Sequence, residues 1–122
     1  MQLSNNFIYE TTYALYSWFN NNDQYIPVKL SFKIYKNLQI LQDCLRQIEE
    51  AKMKIGHQYG ELTDDGNYAI KPENIDIANQ ELIDLGNITQ EVMIQTISID
   101  EISNDIKLTP RQMKTIMFMI EG

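Results

Sequence analysis

A heptad pattern in the middle of the chain constrains the fold more than any other feature of the sequence. From about Ser31 to Tyr59, residues at alternating steps of four and three are almost all apolar, with one lysine among them: Ile34, Leu38, Leu41, Leu45, Ile48, Lys52, Ile55 and Tyr59. This spacing aligns the side chains along one stripe of an α-helix. The pattern therefore predicts one helix of roughly 40 Å. Its stripe must be covered by other helices of the chain or by a second chain.

A second helical pattern runs from about Asn6 to Asn20, with Ser4 or Asn5 as its cap. At about 100° per residue, one face collects the apolar and small residues Phe7, Ile8, Thr11, Ala14, Leu15, Trp18 and Phe19. The opposite face carries the tyrosine stripe, which consists of Tyr9, Tyr13 and Tyr16. Tyrosine rings on a polar face are typical of interface cores. The alternative is a helix buried on both faces, and the sequence leaves both interpretations open.

Turn-forming residues follow the long helix. The D-D-G-N sequence at residues 64–67 lies between two short extended arms and predicts a small hairpin. Pro72 then begins a third helix, and Gly86 is placed as its stop. The apolar residues of this helix are spaced at three, four and three: Ile75, Ala78, Leu82 and Leu85. The third helix is about half as long as the long helix and cannot cover the whole stripe.

The last quarter of the sequence predicts a strand and one more helix. Residues 91–98 favour a strand. Two segments fit the capping-box pattern, Ser98–Glu101 and Thr109–Gln112, and the second has proline at the first helical position. A helix from Pro110 to Glu121 should follow, with Met113, Ile116, Met117 and Ile120 facing inward.

These elements predict an α+β fold that is mainly helical. A long helix packs antiparallel to a shorter one, with flanking helices near both ends and a small two- or three-stranded antiparallel sheet. At 122 residues the chain is too short for two domains, so residues 1–122 should form a single domain.

Charge is distributed unevenly along the chain, which carries a formal net charge of -7. Residues 61–105 hold eleven acidic residues and one basic residue. This balance disfavours binding to nucleic acid or to an anionic membrane and favours a basic protein partner. The candidate contacts are the tyrosine stripe and the acidic residues Glu61, Asp64, Asp65, Glu73 and Asp76. The alternative is an ordinary solvated face.

Lys29, Lys33 and Lys36 lie near Phe32 and Tyr35 in the first part of the long helix. Basic residues interleaved with aromatic ones are the one feature that could argue for nucleic acid. With three lysines in so acidic a chain, a solubilising helix face is the preferred interpretation.

The sequence contains no constellation that indicates catalysis, so we expect a non-enzymatic protein with no catalytic residues, cofactor or metal. Cys44 and His57 are 13 residues apart on one predicted helix, roughly 20 Å, which is too far for a nucleophile and its base. Asp64, Asp65 and Asn67 lack the spacing of a calcium loop. The single cysteine and the absence of a secretory signal or a membrane-spanning run predict an intracellular location without membrane association.

Four short motifs follow the predicted N-terminal helix: K-x-x-K-N-L at 33–38, Y-G-E-L-x-D-D-G-N at 59–67, E-L-x-x-L at 81–85 and L-T-P-x-x-M at 108–113. In this order, the helix and the motifs resemble a family of small uncharacterised proteins of tailed phages and prophages of low-GC bacteria. The resemblance implies a viral or prophage origin and the host cytoplasm as location. Two functions remain: inhibition of a host protein such as a defence nuclease through the acidic surface, or a structural or assembly role in a virion through helix-mediated oligomerisation.

Overall fold

The computed structural model describes residues 1–21, 25–102 and 106–121, and this part of the chain forms a mainly helical α+β fold, as predicted. The α-helices are α1 (Asn5–Asn21), α2 (Val28–Tyr59), α3 (Ile75–Asn87) and α4 (Pro110–Ile116). The strands are β1 (Gln2–Ser4), β2 (Gly60–Leu62), β3 (Tyr68–Ile70), β4 (Thr89–Glu91), β5 (Ile97–Ser98) and β6 (Ile120–Glu121). Short 3-10 turns span Pro72–Asn74, Ile99–Glu101 and Met117–Met119.

The predicted long helix is confirmed as α2, which begins directly after Pro27. Four members of its heptad pattern are buried: Ile34, Leu38, Leu41 and Ile48. The other four are half-buried, because the helices that pack on α2 do not cover its second half completely. Leu30 and Asn37 extend the buried stripe on the same side of the helix.

Helix α1 runs antiparallel to α2, since Phe19 contacts Tyr35 near the beginning of α2 while Tyr9 contacts Lys52 near its end. The predicted cap is confirmed, because the Ser4 hydroxyl accepts a hydrogen bond of 3.1 Å from the backbone N–H of Phe7. Ile8 and Leu15 are fully buried, but Ala14 is exposed, contrary to prediction. Ala14 instead lies in an open groove between α1 and α4.

The predicted hairpin is confirmed as β2 and β3, which pair antiparallel with Glu61 opposite Ala69. Its turn places Gly66 at a φ of 84°, a left-handed conformation that glycine adopts without strain. Helix α3 follows the 3-10 turn and continues through Gly86 to Asn87, so the prediction that Gly86 stops the helix is wrong. No left-handed cap is needed, because Ile88 turns directly into the extended backbone of β4.

The prediction of one strand over residues 91–98 is wrong, since this stretch contains only the last residue of β4 and the two residues of β5. β4 pairs antiparallel with β1, and β5 pairs in parallel with β6. Between them, the side chain of buried Asn37 takes the place of a neighbouring strand: its amide nitrogen donates to the Gln95 carbonyl at 2.9 Å, and its oxygen accepts from the Gln95 N–H at 2.7 Å. The described strands therefore form three separate two-stranded sheets rather than one. Two of these sheets are antiparallel, and the β5–β6 sheet is parallel.

The capping box at Thr109 is confirmed, with reciprocal bonds between Thr109 and Gln112 of 3.0 and 3.1 Å. The helix after it is shorter than predicted, because α4 tightens into a 3-10 turn and then enters β6. This change of period turns Met117 outward and buries Met119, so the inward placement of Met117 is wrong. The capping box predicted at Ser98 is also wrong, since the Ser98 hydroxyl makes no cap bond and the next residues, Ile99–Glu101, form a 3-10 turn rather than an α-helix.

Candidate partner-binding surface

The five predicted acidic residues lie at one end of the long helix. Glu61, Asp64 and Asp65 belong to the hairpin, and Glu73 and Asp76 lie where α3 begins. Both segments are attached to the last turn of α2 through the Tyr59 carbonyl, which accepts bonds of 3.1 Å from the Lys71 N–H and from the Asn74 side chain. We call these five residues the acidic end.

Two other acidic residues of the 61–105 block, Glu91 and Glu101, lie away from the acidic end, and Asp105 lies outside the described residues. Glu101 binds Lys33 at 2.7 Å, near the opposite end of α2. Lys33 and Tyr59 are separated by 26 residues of helix, or about 39 Å. Glu91 lies elsewhere again, 2.5 Å from the α-ammonium group of Met1. The acidic residues of this block that are placed by their partners therefore lie on separate surfaces.

The carboxylates of the acidic end differ in their surroundings. Glu61 lies 3.6 Å from Lys71 in an exposed ion pair. Asp65 accepts hydrogen bonds from the Thr63 hydroxyl and from the backbone and side chain of Asn67, and these bonds hold the pKa of Asp65 below its usual value. Asp65 thus stabilises the turn.

The other three carboxylates, those of Asp64, Glu73 and Asp76, are exposed. Among the described residues, none of them has a basic partner within ion-pair distance. These three groups are available to a basic partner.

Large apolar side chains lie exposed beside these carboxylates. Leu62 is 66% exposed, Ile75 is 45% exposed and Ile77 is 49% exposed. The acidic end therefore mixes charged and apolar contacts, as the surfaces of protein complexes do. Of these three residues, the sequence pattern assigned Ile75 to the inner face of α3 and gave no role to the other two.

The tyrosine stripe is exposed, which excludes the alternative that α1 is buried on both faces there. Tyr9, Tyr13 and Tyr16 are 37%, 51% and 50% exposed. The rings of Tyr9 and Tyr13 meet edge to face at 5.0 Å, and the ammonium group of Lys52 lies 4.0 Å from the centre of the Tyr9 ring. Lys52, the one polar residue of the heptad pattern, thus makes a cation–π contact.

The acidic end and the tyrosine stripe form two separate surfaces. Tyr9 lies beside Lys52, seven residues before Tyr59 and so about 10 Å along α2 from the acidic end. Tyr16 lies beside Gln42, about 26 Å from that end. A partner centred on the acidic end could therefore reach Tyr9 but not the whole stripe.

The titratable groups considered for catalysis lie apart from one another. Cys44 is half-buried on α2, and burial raises the pKa of its thiol, with a smaller contribution from the charge of Asp43. The Nδ1 atom of exposed His57 lies 3.1 Å from the hydroxyl of Tyr68 in the hairpin. Within residues 1–21, 25–102 and 106–121, no three His, Cys, Asp or Glu side chains are grouped to hold a metal ion.

None of the described helices is both long enough and apolar enough to cross a membrane. Comparison with known proteins gives no match to any protein-family model, curated protein or solved structure.

Proposed function

We propose that the chain is a non-enzymatic, phage-encoded interaction protein that binds and inhibits a basic host protein through its acidic end. Defence nucleases and other nucleic-acid-binding factors are the class of partner in question, and the host cytoplasm is the place of action. One observation carries the proposal: Asp64, Glu73 and Asp76 are exposed and lack basic partners among the described residues, and large exposed apolar side chains lie beside them.

A protein that binds nucleic acid presents lysine and arginine side chains in the positions of phosphate contacts. Carboxylates on the hairpin and at the start of α3 can pair with those cations, and opposite charges accelerate the encounter. The neighbouring apolar side chains Leu62, Ile75 and Ile77 would supply the part of the contact that loses water on binding. Binding should therefore weaken as salt rises but not vanish, since the apolar contribution is not screened.

The test compares three tagged baits in a lysate of an infected low-GC bacterial host. The first is the natural chain. The second, the acidic-end variant, carries Asp64→Lys and Glu73→Lys. The third, the control variant, carries Glu10→Lys and Asp43→Lys, which change the net charge by the same amount at exposed positions away from the acidic end. Bound proteins are washed at increasing salt and identified by mass spectrometry, and the affinity and activity of the purified partner are then measured.

We expect the natural chain and the control variant to capture the same basic protein and to inhibit its activity. The acidic-end variant should bind that protein at least about tenfold more weakly, equivalent to about 1.4 kcal/mol. Equal binding by both variants would refute the role of the acidic end. Binding without inhibition would refute the proposed inhibitory function.

The second candidate is a virion structural or assembly component, and exposed apolar side chains at the end of α3 favour it. Ile83 on α3 is 56% exposed and Ile88, directly after the helix, is 52% exposed, and both apolar side chains are available for contacts with another chain. This function requires the protein in purified particles, or bound to another phage protein through a contact that salt does not weaken. Ile83→Asp should abolish that contact. Absence of the natural protein both from purified particles and from complexes with other phage proteins would exclude this candidate.

A further inference from the structure

A basic, aromatic face lies on the first part of α2, opposite its buried stripe. It consists of Val28, Lys29, Phe32, Tyr35 and Lys36, whose spacing of one, three or four residues places them on one side of the helix. The side chains of Val28, Phe32 and Tyr35 are 83%, 60% and 49% exposed, and the Lys36 ammonium lies 5.7 Å from the centre of the Phe32 ring. We call this surface the basic face.

The cations of the basic face are Lys29 and Lys36, because Lys33 at its edge is already paired. The Lys33 ammonium contacts both carboxylate oxygens of Glu101, at 2.7 and 3.1 Å, and the Thr96 carbonyl at 3.3 Å. Lys29 and Lys36 are exposed, and within the described part of the chain neither forms an ion pair. Two cations beside three exposed apolar side chains define the chemistry of a matching partner, which must be acidic and partly apolar.

We propose that the basic face docks onto the acidic end of a second copy of this chain. The two surfaces are opposite in charge and alike in composition, since each combines two or three available charges with exposed large side chains. They cannot meet within one molecule, because about 40 Å of rigid helix separates them. The contact is therefore head-to-tail, and each added copy leaves one acidic end and one basic face open.

The size of the basic face sets the strength of this contact. Five residues over about two helical turns cover less than the roughly 800 Å² per partner of a standard stable interface. The association is accordingly weak and reversible. The net charge of -7 on each copy adds a general repulsion between copies, which opposes the attraction at the contact. Self-association would cover the acidic end, so a basic host partner would compete with it.

The test uses sedimentation velocity over a range of concentrations, at about 50 mM and about 500 mM salt, where the screening length falls severalfold. Three proteins are compared: the natural chain, a basic-face variant with Lys29→Glu and Lys36→Glu, and the acidic-end variant. Helix content measured by circular dichroism shows that each variant is folded. The two variants are also mixed in equal amounts, because each then supplies the charge that the other has lost.

We expect the natural chain to self-associate with rising concentration at the lower salt, and each variant alone to remain at its monomer mass of about 14.3 kDa. In the mixture, the natural acidic end of one variant can meet the natural basic face of the other, and the two altered surfaces also carry opposite charges. Association should therefore return. A natural chain that stays monomeric at about millimolar concentration, where weak contacts of this size should form, would overturn the proposal. Unchanged association in both variants would overturn it too.

Titration of a fluorescent single-stranded oligonucleotide supplies a further outcome. Oligonucleotide binding that the basic-face variant loses, without self-association of the natural chain, would assign the surface to nucleic acid and refute the proposal. Host-partner capture is measured separately with the basic-face variant, which keeps the acidic end intact. Failure of self-association therefore leaves the proposed function unaffected, and failure to capture a host partner leaves the proposed self-association unaffected.

Discussion

Replacing Asn37 should show how much one buried amide contributes to the fold. Asn37 is fully buried on α2, and its side chain makes two hydrogen bonds to the backbone of Gln95. Asn37→Ala removes both bonds, at about 1 kcal/mol each, and leaves two peptide groups that only water could satisfy. We expect a loss of about 2–4 kcal/mol in the free energy of unfolding, a large part of the 5–15 kcal/mol typical of a domain.

Urea unfolding followed by circular dichroism measures this loss, with exposed Gln39→Ala as the matched control at about 0.5 kcal/mol or less. Asn37→Asp adds a test of mechanism. Burial raises the folded-state pKa of a carboxyl group. The loss in the free energy of unfolding is therefore complete above that pKa, and it shrinks as the pH falls towards about 3.9, the pKa of aspartate in the unfolded chain. The protonated acid can again donate to the Gln95 carbonyl. A cost for Asn37→Ala no greater than that of the control would refute the reasoning.

Two further predictions concern an ion pair and the hairpin. The Lys33 ammonium holds the pKa of Glu101 below its usual value. The ion pair therefore stabilises the folded state above about pH 4.3, and this stabilisation is lost as the pH falls through the lower folded-state pKa. Glu101→Gln should remove this part of the pH dependence of the unfolding midpoint. A Cβ atom on Gly60 would lie 2.6 Å from the Ala69 carbonyl oxygen, whereas Gly66 has open space but a φ of 84°. Gly60→Asn should therefore cost about 1–3 kcal/mol through overpacking and Gly66→Asn less than about 1 kcal/mol, and equal losses in urea unfolding would contradict this assignment.

Much of the fold could be predicted because its strongest signals are local. The heptad spacing of α2, the turn of the hairpin and the Thr109 cap each depend on residues within a few positions of one another, and all three are confirmed. The α-helical period also placed Ile8 and Leu15 correctly in the core.

The errors arise where distant segments decide the structure. Nothing near residues 92–96 indicates that Asn37, almost 60 positions earlier, replaces a neighbouring strand for Gln95. Met117 faces outward because β6 must reach β5, which interrupts the helical period. The local pattern does not show this interruption, since a short apolar run such as residues 116–120 fits a helix as well as a short strand.

The candidate surface was predictable in part for the same reason. The sequence named Asp64 and Glu73 as candidate contacts, and both lie near the end of α2 because the hairpin and the start of α3 follow that helix directly in the chain. It could not show that Glu101 lies at the far end of α2, bound to Lys33. The exposed apolar residues Leu62 and Ile77 carried no signal, because an isolated leucine or isoleucine is ordinary in both exposed and buried positions.

The strand pairs that join distant parts of the chain have a consequence for the order of folding. The segment from Val28 to Asn87 is held by contacts between neighbouring elements, whereas the β1–β4 pair closes a loop of more than 80 residues with only three residues in each strand. Closing so long a loop is entropically costly for so few bonds. We expect this ladder to form last and to open first, so that amide hydrogens of β1 and β4 exchange with solvent well before those of the buried stretch around Leu41.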